Sequence, residues 1–309
     1  MMTGNDSAIT DNTFSNNRFI RNGLLIAVLA AFLFSTKPIL IKFLYQLGME
    51  PVPLMWLRMM LATPVYLVVA VFAWKRSQQT LAVRDIAAAA AIGLLGYYLA
   101  SYLDLLALQH ISAQFERVVL YAYPTFVVLL GALFFNQPLS GKILLPLVIT
   151  YAGLLLMYSQ ELSSNQSGDN PLSGSLLVLA SALAFAGYIL LSKTVIQKTG
   201  SLLFTSIAMT SAAIATAVHH QIQQPLALPQ YDSQVWGLLI LLALFATVLP
   251  SFLTSEAIKR IGPARASMTG ILGPVITSIL AIVFLGEALS LTGLAGMAMV
   301  IWGVALLAR

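Results

Sequence analysis

No cysteine occurs in the chain, and charged residues make up only 9% of it. Without cysteine there is no disulfide, no thiol nucleophile and no Cys-type metal site. A soluble domain carries about 25% charged residues, so a chain this poor in charge cannot cover itself with polar surface. Its solvent is lipid. No basic cluster or recognition motif marks a nucleic-acid surface. There is no GxxxxGK[ST] loop to bind ATP, and neither H-E-x-x-H nor G-x-S-x-G is present. His110, His219 and His220 stand at the ends of apolar runs, and His219-His220 reads as a solvated pair rather than a metal site. Neither an enzyme nor a cofactor is expected.

What is there is apolar: 59% of the residues. A spanning helix needs about 20 mostly apolar residues. Ten such runs are expected, at roughly 23–44, 53–74, 86–108, 114–135, 142–158, 174–192, 202–219, 235–255, 264–285 and 292–308. Nothing alternates as a strand barrel would. The fold class is therefore all-α integral membrane. Residues 1–22, polar through Asn17, read as a disordered cytoplasmic tail. Twelve of the 16 Lys and Arg residues fall on one side if the N-terminus is inside. That bias places both termini in the cytoplasm.

The chain repeats itself. Arg117–Ser140 reads RVVLYAYPTFVVLLGALFFNQPLS and Ser267–Ser290 reads SMTGILGPVITSILAIVFLGEALS. Pro124, Leu130, Phe134, Leu139 and Ser140 recur at an offset of 150, without a gap. Phe34–Lys42, FSTKPILIK, faces Phe185–Lys193, FAGYILLSK, at an offset of 151. Five spans is an odd number, so the second copy enters the membrane from the opposite side. The expectation is two inverted repeats, 23–158 and 174–309, joined by an outer linker at 159–173, with a substrate site at their interface near the midplane.

These features resemble the drug/metabolite transporter superfamily, EamA type. The resemblance rests on ten spans in two fives and on the fourth and ninth spans ending "NQPLS" and "GEALS". "FSTKPILIK" after the first span and "WLRMMLA" at Trp56–Ala62 are similar to the family's first two helices. It covers nearly all of residues 20–309, and Asn136-Gln137 departs from the more usual Gly-Glu. The resemblance implies a secondary transporter in a bacterial-type inner membrane. It implies export of small metabolites, such as amino acids or other carboxylate-bearing compounds, by alternating access.

Charge inside a span is costly and marks function by default. Lys37 lies past the middle of the first span, and Arg58 about 8 Å below the outer end of the second. Asp104 is near the outer end of the third, and Glu116 and Arg117 open the fourth. Their counterparts in the second repeat, Tyr188, Ile207, Thr254, Ala266 and Ser267, carry no charge. The helices are duplicated and the charges are not. One reading is a polar cavity opening outward, with a positive bias that suits a carboxylate and with Lys37 at its centre. The other is structural: ion pairs that pin helices, or side chains that snorkel.

Tyr98 and Tyr102 share a face at i,i+4. With Tyr121, Phe185 and Tyr188 they are candidate walls of that cavity, whereas Tyr45, Tyr97 and Tyr158 suit the interfacial belts. Glu287 reads as a helix-end or loop residue. Pro124 and Pro274, related by the duplication, are candidate hinges. Gly296 and Gly303 offer a close approach to another helix, or a dimer face. The expected partners are a small-molecule substrate and the bilayer. Coupling to a proton or to exchange, a lipid-linked cargo, a non-transporting sensor role, and a monomer or homodimer all stay open.

Overall fold

The computed structural model describes residues 6–76, 82–136, 143–163, 170–223 and 231–307, with side chains from Arg21 onward except Ile271. Among them no strand occurs. A bilayer core offers the backbone no water, so each segment must bond its own N–H and C=O groups, and these segments do so as helices. Nine are long and apolar enough to cross a membrane: α1 (Arg21–Gln46), α2 (Pro51–Arg76), α3 (Val83–Ala107), α4 (Ala113–Phe135), α5 (Leu144–Ser163), α6 (Pro171–Thr199), α7 (Ser201–Gln223), α8 (Ser233–Ile261) and α9 (Pro263–Leu285). A tenth, α10 (Leu291–Leu307), is shorter and equally apolar.

Three boundaries differ from expectation. The helix that becomes α1 begins at Asp6, inside the stretch expected to be a tail. The fifth helix runs on to Ser163, because Glu161 finds partners on Ser112 instead of water. The sixth starts at Pro171, where the Asn170 side chain caps the backbone N–H of Ser173 at 3.1 Å. Leu139, Ser140 and Lys142 lie outside the described residues.

The duplication is visible in irregularities, not only in helix count. α3 carries a π-helical turn at Leu94–Leu99, and α8 carries one at Leu244–Val248. α4 breaks between Leu120 and Tyr123, just before Pro124. The chain of α9 tightens at Thr269–Leu272, just before Pro274. Both of these helices end on a left-handed residue, Asn136 (φ 50°) and Gly286 (φ 67°). Asn tolerates that conformation better than other side chains do, which accounts for Asn136 standing where the second copy has glycine.

The packing obeys the same exchange. α2 packs on α7 and α5 on α10, each against its own counterpart. α3 packs on α6 as α8 packs on α1, and α4 packs on α6 as α9 packs on α1. The structure is thus two inverted five-helix repeats whose helices interleave. The α5–α10 seam uses Gly153 and Gly296. A Cβ at Gly153 would stand 2.6 Å from the Gly296 carbonyl oxygen. A Cβ at Gly303 would stand 2.2 Å from Thr150 Oγ1. The glycine face of α10 is therefore spent on a close approach to α5 inside the protomer.

Candidate functional site

Proline chemistry begins the site. Pro38 has no N–H, so the carbonyl of Phe34, four residues earlier, loses its helical donor. α1 accordingly breaks at Thr36 and resumes at Lys37. The freed backbone does not stay bare. An Arg117 guanidinium nitrogen (Nη2) donates to the Phe34 carbonyl. Thr277 Oγ1, from α9, donates to the Ser35 carbonyl at 2.9 Å, and Arg117 Nε donates to the same Thr277 hydroxyl at 3.3 Å. A broken helix of the first repeat is therefore held in part by the second.

The other two breaks meet face to face. Tyr121 OH donates to the Met268 carbonyl at 3.0 Å, and Tyr123 OH donates to the Ser267 carbonyl at 2.8 Å. The α4 break thus grips the backbone of α9 where α9 leaves regular helix. Pro124 and Pro274 flank this joint, one on each side.

Between the breaks lies a cavity with about 120 Å³ of space open to water-sized molecules. Lys37, Arg58, Asp104 and Arg117 line it, with Tyr97, Tyr121, Tyr123 and Phe185 as aromatic walls. A smaller space beyond Phe34 and Tyr123, bounded by Ala27, Ala257 and Ala266, extends it toward the start of α1 and the end of α8.

The first residue after the α1 break carries the main ion pair. Lys37 Nζ stands 2.6 Å from Asp104 Oδ2. Arg58, 3% exposed, donates through Nη2 to Ser101 Oγ at 2.7 Å, while its Nε has no partner among the described residues. Asp104 Oδ1 and Glu116 Oε2 are buried and meet no N–H or O–H donor among the described residues. What each of these two carboxyls faces at hydrogen-bonding range is the other. Three cations and two acids thus share the site, and one guanidinium N–H is left aimed at nothing.

The sequence candidates divide on the structure. Lys37, Arg58, Asp104, Arg117, Tyr121 and Phe185 all line the cavity. Glu116 sits behind Asp104, among buried groups. Tyr188 is fully buried behind the aromatic wall, stacked on Phe185 at 5.5 Å and sharing a hydrogen bond of 3.1 Å with Tyr97 OH. Tyr98 and Tyr102 face the other way. Tyr98 OH pairs with His219 Nδ1 at 3.1 Å, and the Tyr102 ring packs on the same imidazole at 4.8 Å. They do share a face, as their spacing requires, but that face meets α7.

Tyr97, expected in an interfacial belt, is instead a cavity wall. The signal for it was Asp104: counting back by three and seven residues along one helical face gives Ser101 and Tyr97. The two histidines are not a solvated pair either. His220 is buried and stacked on Trp56 at 4.2 Å.

Glu287 does more than follow a helix. It is 6% exposed, and its two carboxylate oxygens accept from the backbone N–H groups of Ala113 and Gln114 at 2.8 and 3.0 Å. Glu161 accepts from the N–H and hydroxyl of Ser112 at 2.6 and 2.7 Å. Two carboxylates therefore occupy the N-terminal end of α4, where the helix dipole favours negative charge. Lys42 lies beside Glu287, Glu161 and Glu116. The Glu287 bonds tie the second repeat to the first, and the Glu161 bonds tie α5 to the start of α4 within the first. Among the described residues, no three His, Asp or Glu side chains are grouped to hold a metal.

The family model of the EamA-like transporters matches residues 21–159 and again 172–309. The chain belongs to the EamA-like transporter family. It is 29% identical to the uncharacterized transporter YcbK of Bacillus subtilis over 283 residues, 89% of this chain and 88% of that protein. It is 21% identical to an uncharacterized transporter of Clostridium kluyveri, over 92% of each. A solved crystal structure of a protein superposes with a TM-score of 0.68 at 16% identity, over 93% of this chain and 96% of the other. At that identity it supports the helical membrane fold. This EamA-family chain is a multi-pass membrane transporter rather than an enzyme.

Proposed function

We propose that this EamA-family protein is a secondary exporter of small carboxylate-bearing metabolites, amino acids among them, working by alternating access. The observation that carries the reading is the unpartnered Arg58 Nε beside Lys37 in an aromatic-walled cavity between the two repeats. A buried guanidinium N–H with no acceptor costs free energy unless a ligand supplies one, and a cargo carboxylate would do so. The cavity lining holds three cationic side chains, Lys37, Arg58 and Arg117, against one acidic one, Asp104. Tyr97, Tyr121, Tyr123 and Phe185 would hold the apolar part of the cargo.

In this reading the repeats 23–158 and 174–309 rock about the joint of Tyr121 and Tyr123 with α9, with Pro124 and Pro274 as its bend points. The protein sits in the inner membrane with both termini cytoplasmic. The bonds from Glu161 and Glu287 to α4 then close the outer mouth, and the space toward Ala27 and Ala266 is the inner approach. One observation favours a second cargo class. The groove between α3 and α7 opens sideways to lipid and holds Tyr98 and His219, which suits an amphipathic molecule.

The test is counterflow in proteoliposomes. Vesicles loaded with unlabelled amino acids should accumulate the labelled compound, and accumulation should fall at least tenfold in Arg58→Met. Accumulation by protein-free vesicles to the same level, or equal rates in Arg58→Met, would contradict the assignment.

A further inference from the structure

Lys37 has one carboxylate partner, Asp104 Oδ2, and any cargo carboxylate that binds Lys37 must compete with it. Asp104 has a second oxygen, Oδ1, that meets no donor among the described residues, and its carboxyl lies at hydrogen-bonding range of the Glu116 carboxyl. Two carboxyl groups in hydrogen-bonding contact need a proton between them, because an ionised carboxylate only accepts. Asp104 and Glu116 are 2% and 1% exposed, and two buried like charges at contact cannot both persist. One proton therefore resides on the pair, with the Glu116 carboxyl donating to the Asp104 carboxylate. The groups around them are all identifiable: Lys37 from α1, Arg58 and Tyr45 beside Asp104, and Arg117 and Lys42 beside Glu116.

A cargo carboxylate at Lys37 would leave Asp104 ionised, buried and without its cation. Such a charge is expensive in a low-dielectric interior. It is relieved if Asp104 takes a second proton. The balance closes for the carboxylate group: its one negative charge and the proton's one positive charge enter together. An amino acid's ammonium crosses as part of the cargo, so an amino acid and its proton carry one net positive charge across. We propose that the Lys37–Asp104–Glu116 cluster takes up one proton for each cargo carboxylate it binds, so that proton and cargo cross together. Glu116 is the holder of the resident proton, and Asp104 carries the transported one. This proposal rests on the carboxylate reading of the cavity, and its test separates the two.

The first arm needs no cargo. Infrared spectra of the purified protein at neutral pH should show a protonated-carboxyl C=O band that is absent in Glu116→Gln and retained in Glu256→Gln. No such band in the wild type, or the same band in Glu116→Gln, overturns the resident proton. The second arm uses proteoliposomes loaded with a mixture of the standard L-amino acids and a pH-sensitive dye. Amino-acid efflux should make the lumen more alkaline, with a fixed ratio of protons to amino acids. That ratio should fall toward zero in Asp104→Asn, at whatever rate remains.

Efflux with no change in lumen pH, or with acidification, overturns co-transport and leaves the transporter reading standing. If no amino acid moves, that cargo assignment fails. The infrared band then decides the resident proton alone, and thermal unfolding of each variant shows whether it folds.

Discussion

The Glu287 carboxylate, at the end of α9, lies 2.8 Å from the backbone nitrogen of Ala113, the first residue of α4. A residue of the second repeat thus caps a helix of the first. Removing the carboxylate leaves two buried N–H groups without acceptors, at a cost of about 2 kcal/mol. Denaturation should rank wild type above Glu287→Gln, and Glu287→Gln above Glu287→Ala. Equal stability of Glu287→Ala and wild type would show that the cap is not formed.

The Lys37–Asp104 pair should behave as a unit. Lys37→Met alone removes the one cation in salt-bridge contact with buried Asp104 among the described residues and should cost about 3 kcal/mol. Lys37→Met combined with Asp104→Asn should recover much of that loss. A double-mutant cycle measures the difference, and strict additivity would mean that the two side chains do not interact.

The cavity face of α3 makes a paired prediction about cargo. Tyr97 lines the cavity and Tyr102 packs on His219, so the two substitutions should separate. Tyr97→Ala should weaken cargo binding about tenfold or more, since a truncated aromatic wall of a pocket commonly costs over 1 kcal/mol. Tyr102→Ala should leave binding within about twofold. The comparison is made by isothermal titration with whichever amino acid shows counterflow, and equal losses would remove α3 from the site.

At the α5–α10 seam, Gly153→Ala and Gly296→Ala should each destabilise the protomer by about 1–3 kcal/mol, because the added methyl meets backbone on the other helix. Scanning the melting temperature at several protein concentrations checks it. A loss that depended on concentration would place this face between protomers instead.

How much of this was legible beforehand follows from what each kind of signal encodes. Spans were readable because the bilayer imposes length and composition on every helix. The duplication was readable because Pro124 and Pro274 kept their frame. Buried charge pointed to Lys37, Arg58, Asp104 and Arg117, since nothing but a partner or a ligand keeps such groups in lipid.

Orientation of aromatic faces was not readable. The spacing of Tyr98 and Tyr102 says that they share a face, and only the packing of α3 on α7 says where that face points. Glu287 escaped for the same reason. In sequence it is one more acidic residue after a helix, and its partner lies 174 residues earlier.

The measurement that bears most directly on the central claim is thermal stabilisation of the purified protein against amino acids, organic acids, amines and nucleosides. Ligand bound only to the folded state adds about 2.7 kcal/mol at about a hundredfold excess over Kd. A cavity built around Lys37 and Arg58 predicts stabilisation confined to carboxylate-bearing compounds. It also predicts that stabilisation is lost in the charge-neutral pair Lys37→Met/Asp104→Asn. Stabilisation by amines or nucleosides instead, or stabilisation by carboxylates that survives in that variant, would contradict it.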